Sequence, residues 1–421
     1  MARTQSSAAQ ASRRARDRAI ADARETLLAR ATANEPGRTG RRPAAASGRK
    51  PTAGRGARSN TARSNTARSG GRQPAQRKPQ SAAKPDARRS HRLLGWIAIP
   101  CAAVALLGVI LRALPEELQS LPYVPVLVAA TPWFMIPALL AFVFAVLSRR
   151  WITMLTALAC LGVQGWWQQP FYSGAVKLPA SVYQAMSSSR PDTGDMIARV
   201  MTFNVYKGRA DAQRIVEVVR DQKVEVLALQ ETTNAFIKRL EDAGIHRYLP
   251  YSQVSSSDGV SGNGIWSATK LSDPVDDEVN SSASFMPAGT VTFGGGEARL
   301  RFVSVHTTAP VPGYWSRWRL TLDELARMRS RTGSRYVFMG DFNATTDHTP
   351  FRDFLGERFT DAARQSGHGF TFTWPTDKPP LPRFAGIDHV VLDQGIVAGQ
   401  MQVVPIDGSD HAALLATIVV Q

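Results

Sequence analysis

At Leu93 the chain changes character within a single residue, and that break limits what the whole can fold into. Leu93–Leu111 is uncharged and apolar, with Trp96 near its start and Arg112 just beyond it. At about 1.5 Å per helical residue it is long enough to cross the hydrocarbon core of a bilayer. It lies too deep in the sequence to be the apolar part of a cleaved signal peptide. Two more apolar runs follow. Pro122–Leu147 contains Pro125 and Pro132 and ends before Arg149-Arg150; Trp151–Trp167 has aromatic residues at both borders, where they anchor at a membrane–water interface. The sequence therefore predicts spans over 93–111, 122–147 and 151–167, the last short enough to be read also as a buried or interfacial helix. Both cysteines, Cys101 and Cys160, fall inside these runs and give neither a disulfide framework nor metal-ligand spacing.

Composition becomes informative once it is divided at this break. The chain has 421 residues and a formal net charge of +17. Residues 1–92 hold 23 Lys/Arg and 5 Asp/Glu, which leaves 28 and 29 for the rest, so all of the basicity belongs to the N-terminal segment. That segment is Arg interleaved with Ala, Ser, Gly and Pro. It cannot bury enough apolar area to offset its chain entropy and is expected to be disordered, with a transient helix over residues 12–31. Its tandem Ser59–Arg63 and Ser64–Arg68 repeat is too brief for a solenoid. Such a tail attracts anionic lipid headgroups or nucleic acid, or it only sets membrane orientation. Basic residues before the first span and at Arg149-Arg150 predict that both lie in the cytoplasm, which carries residues 168–421 outside it. The Arg/Ala-rich composition without disulfides fits a multi-pass protein of a bacterial cell membrane.

Residues 168–196 read as a polar linker, and 197–421 is large enough for one α/β domain with its own core. The apolar run Tyr336–Met339 reads as a buried strand and closes in Gly340-Asp341-Phe342-Asn343. Residues two apart on a strand share a face, so Asp341 and Asn343 point together while Phe342 turns to the core. Gly340 suits a place where a ligand or a neighbouring backbone comes close. Other apolar runs end alike: Asn204 after Val200–Phe203, Glu231 after Val224–Gln230, and His306 after the run over 298–305. Asp388 and the pair Asp410-His411 stand beside further strand runs, the latter before Leu414–Val420. Helices are expected over Asp211–Gln222, Thr233–Ala243 and Ser316–Ser330, a strand over Asn263–Thr269, a strand run over 284–293 and an acidic loop over Asp273–Glu278. Carboxylates, amides and imidazoles without a thiol make a hard, oxygen-rich set, suited to Mg²⁺ or Mn²⁺ rather than zinc.

The motifs Thr202-Phe203-Asn204-Val205, Leu229-Gln230-Glu231, Val305-His306, Gly340-Asp341-Phe342-Asn343, Ile387-Asp388-His389 and Ser409-Asp410-His411 occur in one order across 197–421. In that order they resemble the endonuclease/exonuclease/phosphatase superfamily, the DNase I-like fold; Thr373-Trp374-Pro375 adds to the likeness. The resemblance implies a four-layer α/β/β/α sandwich with its site at the top of two packed sheets, and hydrolysis of a phosphodiester or phosphomonoester by direct attack of water. It implies that Glu231, with Asn204 and Asp410, holds Mg²⁺. Asp341 and Asn343 would handle the attacking water. Asp388 would fix the tautomer of His411, and His411 and His306 would contact phosphoryl oxygens. Adjacent strand residues face opposite ways, so His389 should point away from the site.

The chain departs from the family where Asn263–Ser267 continues into Ala268-Thr269-Lys270 rather than an Arg and a Pro-containing turn. No carboxylate partner for His306 stands out. Substrates consistent with the likeness are phospholipids, small phosphoesters and nucleic acid. Residues 197–421 hold 23 Lys/Arg and 25 Asp/Glu, a balance that does not favour tight duplex binding. The reading of another class is a membrane-tethered, catalytically silent module that binds phosphorylated ligands.

Overall fold

The computed structural model describes residues 87–173 and 194–421, together with Leu178, Val182 and Gln184. The expected disordered tail up to residue 86, with its helix at 12–31, and most of the expected linker lie outside the described residues.

Ala87–Ala113 is one helix, so helical structure begins inside the segment assigned to the tail. The second apolar run is not a single helix. It breaks into Val124–Ala129, a 3-10 turn Thr131–Phe134 and Met135–Leu147. Pro125 and Pro132 cause this: each opens a new helical piece, where its missing N–H would have no partner anyway. Trp151–Gln168 forms the third long helix, and a 3-10 turn at Gln169–Phe171 continues it into the expected linker. The long helices meet on small residues, Ala102, Ala141 and Ala157 in one layer and Ala105, Ala138 and Cys160 in the next. Their large side chains, among them Ile97, Leu107, Leu139, Val143 and Leu155, face outward. That is the inverse of a bundle packed for water. By length and hydropathy Leu93–Ala113 suffices to cross a membrane and Thr131–Leu147 is a shorter apolar helix, so among the described residues one helix, not three, meets this criterion.

The remainder is a two-sheet α/β domain. Its strands are β1 (Ile197–Asn204), β2 (Val226–Gln230), β3 (Tyr251–Ser255), β4 (Asn263–Ser267), β5 (Ser272–Val275), β6 (Ala288–Phe293), β7 (Ala298–His306), β8 (Arg335–Asp341), β9 (Thr360–Asp361), β10 (Asp388–Leu392), β11 (Ile396–Pro405) and β12 (Ala412–Val420). One sheet has the order β11-β12-β1-β2-β4-β3 and the other β5-β6-β7-β8-β10-β9. Each holds one parallel pair at its centre, β1 with β2 and β7 with β8. The expected strand over 284–293 starts only at Ala288, and the first half of the expected acidic loop belongs to β5.

Period-two alternation sorts the side chains. Val200, Val226, Ala228, Leu300, Phe302, Val337, Met339, Val390 and Leu414 fill the space between the sheets. Met201, Phe203, Leu227 and Leu229 face the helices Ala212–Asp221 and Asn234–Asp242. Val303, Val305, Phe338 and Phe342 face the helices Trp315–Ala326 and Thr349–Leu355. The layers are therefore helix, sheet, sheet, helix. The first two helices are capped by side chains, Asp211 accepting from the Arg214 N–H and Thr233 from the Phe236 N–H. Gly340 meets a neighbouring backbone: a Cβ there would lie 1.9 Å from the Val305 carbonyl oxygen of β7.

The bundle is joined to this domain by buried polar contacts. Asp347 accepts from Arg112 Nε at 2.6 Å and from Gln168 Nε2 at 3.3 Å, and the Arg112 guanidinium lies 4.0 Å over the Trp167 ring. The Thr349 N–H donates to Gln119 Oε1 at 2.8 Å, and Trp133 Nε1–H donates to the Phe384 carbonyl at 2.9 Å. His348 is fully enclosed. Its Nδ1 accepts from the Thr345 N–H at 2.8 Å and its Nε2 lies 2.8 Å from the Pro125 carbonyl. Burial pushes its pKa down to about 4, so it stays neutral, with the proton on Nε2.

Candidate active site

The site continues the inter-sheet face beyond the last apolar layer. Along β1, β7, β8 and β10 the residues on that face end in Asn204, His306, Asp341 and Asp388, and His306, Asp341 and Asp388 are direct neighbours across the second sheet. A buried polar layer separates them from the core. Thr202 Oγ1 donates to Gln230 Oε1 at 3.2 Å, and Gln230 Nε2 donates to Ser304 Oγ at 3.1 Å, which ties the two sheets directly beneath the cleft.

Alternation alone would aim Gln230, not Glu231, between the sheets. Glu231 has φ of 59°, a left-handed conformation that turns its carboxylate back over the strand end. There it accepts from Asn204 Nδ2 at 3.3 Å and from the Lys207 N–H at 2.9 Å, and lies 3.8 Å from His306 Nε2. Asn204 also donates to Asp341 Oδ2 at 3.0 Å, while its own oxygen accepts from the Tyr206 N–H at 3.0 Å. In this arrangement Asn204 braces two carboxylates and its oxygen is engaged by backbone. Asp341 accepts further from the Asn343 N–H at 2.8 Å. Asn343, at φ of 47°, sends its side-chain NH₂ to the Thr307 carbonyl at 3.0 Å.

His411 enters from the segment before β12. Its Nδ1 lies 2.8 Å from Asp388 Oδ2, and its Nε2 lies 3.6 Å from Asp341 Oδ2 and 4.0 Å from Asp410 Oδ1. Burial alone would lower the His411 pKa, but the Asp388 and Asp341 carboxylates outweigh it and hold the group at about 10. Burial raises the pKa of Asp341, opposed by His411 and His306, and burial also raises that of Asp410. Asp341, Asp388 and His411 lie close enough to share one small ligand. Asp388 Oδ1 is buried without a hydrogen-bond partner.

The eight residues singled out in the sequence lie together here, but Asn343 does not share a strand face with Asp341: the strand ends at Asp341, and left-handed Asn343 meets it through its backbone N–H while its side chain turns to Thr307. A backbone group that carried no sequence signal and the serine of the Ser409-Asp410-His411 motif complete the site. His306 Nδ1 is held by the Val260 carbonyl at 3.0 Å, and the carboxylates of Glu231 and Asp341, which did not stand out as its partners in the sequence, lie 3.8 Å from Nε2. Ser409 Oγ donates to the Asn204 carbonyl at 2.7 Å and accepts from the His411 N–H at 3.0 Å, fixing the loop that presents His411.

His389 does point away from the cleft. Its Nδ1 lies 2.7 Å from Asp361 Oδ2 and its Nε2 2.9 Å from the Ala344 carbonyl, beside Phe351. Both partners are acceptors, so both nitrogens carry protons. Burial lowers its pKa, but Asp361 outweighs this and the net shift is upward. A raised folded-state pKa gives stability that is complete below the ordinary histidine range and is lost as pH rises through the raised value. Urea midpoints should therefore fall as the pH is taken upward from 6.5. His389→Gln should flatten that dependence and cost about 3 kcal/mol at neutral pH. An unchanged slope in the variant would refute the assignment.

The residues fit a divalent cation by charge and donor type. Glu231, Asp341, Asp388 and Asp410 crowd against His306 and His411, so two negative charges remain in excess even with both rings protonated. Glu231 and Asp410 offer hard oxygen donors.

The sequence profile of the Endonuclease/Exonuclease/phosphatase family matches residues 201–411. No curated protein matches the chain. Among solved structures, D. rerio TDP2 complexed with a single-strand DNA product aligns at 18% identity over 53% of this chain and 99% of that one, with a TM-score of 0.46. An endonuclease/exonuclease/phosphatase family protein from Bacteroides thetaiotaomicron aligns at 14% identity over 53% and 98%, with a TM-score of 0.43. A mannosyl-6-phosphatase from the same organism aligns at 13% identity over 53% and 99%, with a TM-score of 0.41.

Proposed function

The chain belongs to the Endonuclease/Exonuclease/phosphatase family, and from that premise we propose that its cleft hydrolyses phosphoester bonds by direct attack of water, with a divalent cation, in a membrane-anchored protein. The observation that carries the reading is the convergence of Glu231, Asp341 and the Asp388–His411 pair from two sheets into one buried cleft. Glu231 and Asp410 would hold the cation, Mg²⁺ or Mn²⁺, and Asn204 keeps Glu231 aimed. When bound, the cation supplies Lewis-acid stabilisation of charge on the phosphoryl oxygens.

Asp341 orients the attacking water and takes its proton. Burial raises its pKa, which makes it a stronger base than an exposed carboxylate. Asn343 holds Asp341 through its N–H and stands beside the water. His411, kept an imidazolium by Asp388, donates Nε2–H to a phosphoryl oxygen as charge develops there. His306, anchored by the Val260 carbonyl, contacts another. No side chain is needed as a covalent nucleophile. The full chain in detergent should hydrolyse bis-p-nitrophenyl phosphate or p-nitrophenyl phosphate with Mg²⁺ and lose that activity in EDTA. Turnover of neither would refute the reading.

Membrane anchoring draws support from the alanine-lined interior and aliphatic exterior of the bundle. The groups that meet the catalytic domain, such as Arg112, Gln119 and Gln168, lie at the opposite end of the bundle from Arg150, which abuts Gly95. With Arg149-Arg150 cytoplasmic, the catalytic domain lies outside the cytoplasm. Alkaline phosphatase fused at Gly174 or Gln421 should be active and green fluorescent protein dark; the reverse pattern would place the domain inside.

A further inference from the structure

We propose that the mouth of the cleft is a bilayer-docking surface and that the substrate is a phosphoester carried on a lipid of the same membrane. This rests on the phosphoesterase and membrane-anchored readings above and adds where the substrate is met.

The first observation is how the bundle grips the site. Thr345–Thr349, held by Arg112, Gln119 and Pro125, is separated from Asn343 by Ala344 alone. Trp133 stacks on Phe372 at 5.7 Å and donates to the Phe384 carbonyl. Phe372 and Phe384 flank the two ends of the loop between Trp374 and Ala385, which pair as a β-bridge. In that loop the Thr376 N–H donates to the Asp410 carbonyl and Thr376 Oγ1 to the Ser409 carbonyl. Tyr123 packs at 5.4 Å on Trp315, which opens the helix after the loop following His306. Segments bordering the cleft on two sides are thus fixed to one end of the bundle.

The second observation is the level at which a bilayer would end. Exposed aromatic rings mark both ends of the bundle, Trp96 and Trp151 at one and Tyr123, Trp166 and Tyr172 at the other. Exposed Trp and Tyr settle at the headgroup plane. At the second end Tyr123 touches Trp315 and Tyr172 touches Phe370, so that plane runs along the loops that border the cleft.

The third is the composition of those loops. Val311, in the loop after His306, is 45% exposed, and Leu381, in the loop between Trp374 and Ala385, is 49% exposed. Single exposed aliphatics are ordinary. Here each belongs to a loop whose base is tied to the same end of the bundle, the first at Trp315 by Tyr123 and the second at Phe384 by Trp133, and Lys378 and Arg383 share the second loop with Leu381. Apolar tips beside cationic groups suit an anionic headgroup layer. A phosphate at that depth reaches the cleft without leaving the membrane.

The test uses the full chain with Cys101→Ser and Cys160→Ala, reconstituted in phosphatidylcholine/phosphatidylglycerol vesicles. An environment-sensitive fluorophore is placed on Val311→Cys, Leu381→Cys or Gly295→Cys, the last in the β6–β7 turn at the other end of β7. Spin-labelled lipid should quench the first two and not the third. Equal exposure at all three positions overturns the docking surface, and a chain that fails to float with the vesicles overturns the membrane reading and the surface together. In parallel, Val311→Asp/Leu381→Asp should lower turnover of phosphatidic acid or phosphatidylglycerol in the vesicles about tenfold, the scale of withdrawing two aliphatic side chains from apolar surroundings. Turnover of soluble bis-p-nitrophenyl phosphate should stay unchanged. Equal loss on both, loss on neither, or wild type that attacks the soluble probe and no bilayer lipid overturns the lipid substrate. Quenching at Val311 and Leu381 without turnover of any phosphoester would leave the surface standing and refute the phosphoesterase reading instead.

Discussion

His411→Ala should lower kcat by about two to three orders of magnitude, the cost of one lost preorganised donor to a developing oxyanion. KM should move little by comparison, while the unfolding midpoint should fall because the buried Asp388 carboxylate loses its partner, so kinetics are read on the folded fraction. The argument rests on position: Nδ1 is tied to Asp388 at 2.8 Å, which leaves Nε2 as the group facing Asp341 and the reacting phosphate. Asp388→Asn should produce a loss of similar direction, because the amide cannot hold the imidazolium as the carboxylate does. Steady-state kinetics on bis-p-nitrophenyl phosphate decides the matter, and a fall in kcat under tenfold for His411→Ala would remove the residue from the chemistry.

Asp347→Ala should destabilise the full chain by about 3–5 kcal/mol, since it strands the buried Arg112 guanidinium. Gln168 loses its acceptor in the same change. The double variant Arg112→Met/Asp347→Leu should recover most of that stability, because two apolar side chains of similar size avoid burying any charge. Activity should follow stability in the single variant, as the loop begins directly after Asn343. Chemical denaturation of both variants in detergent measures this. A double variant as unstable as the single one would mean that the ion pair is not what holds the bundle to the domain.

The strand ends were legible in the sequence because a period of two leaves no freedom. Once Val337 and Met339 face the inter-sheet core, Asp341 must emerge at its rim, and the same rule places Asn204, His306 and Asp388. Glu231 was legible as a residue but not as a direction, since its left-handed backbone reverses what alternation dictates. The Val260 carbonyl could not be foreseen, because a backbone group contributes no letter of its own. Edge strand β3, with none of its side chains fully buried, and β11, with a bulge between Ala398 and Met401, lack clean alternation. The pairing of Arg112 with Asp347 bridges 235 positions and carries no local signature. Pro125 and Pro132 were visible as interruptions, yet apolar composition alone gave no way to see that they divide the second run into separate helical pieces.

The central claim is that Asp341 and a divalent cation together hydrolyse a phosphoester in this cleft. The most direct measurement follows bis-p-nitrophenyl phosphate turnover by the full chain and by Asp341→Ala, each with Mg²⁺ and again after EDTA, with folding monitored by circular dichroism. Turnover should occur in the wild type with Mg²⁺ alone, vanish in EDTA, return on adding the metal, and be absent from a folded Asp341→Ala. Turnover that survives both EDTA and loss of Asp341 would contradict the account.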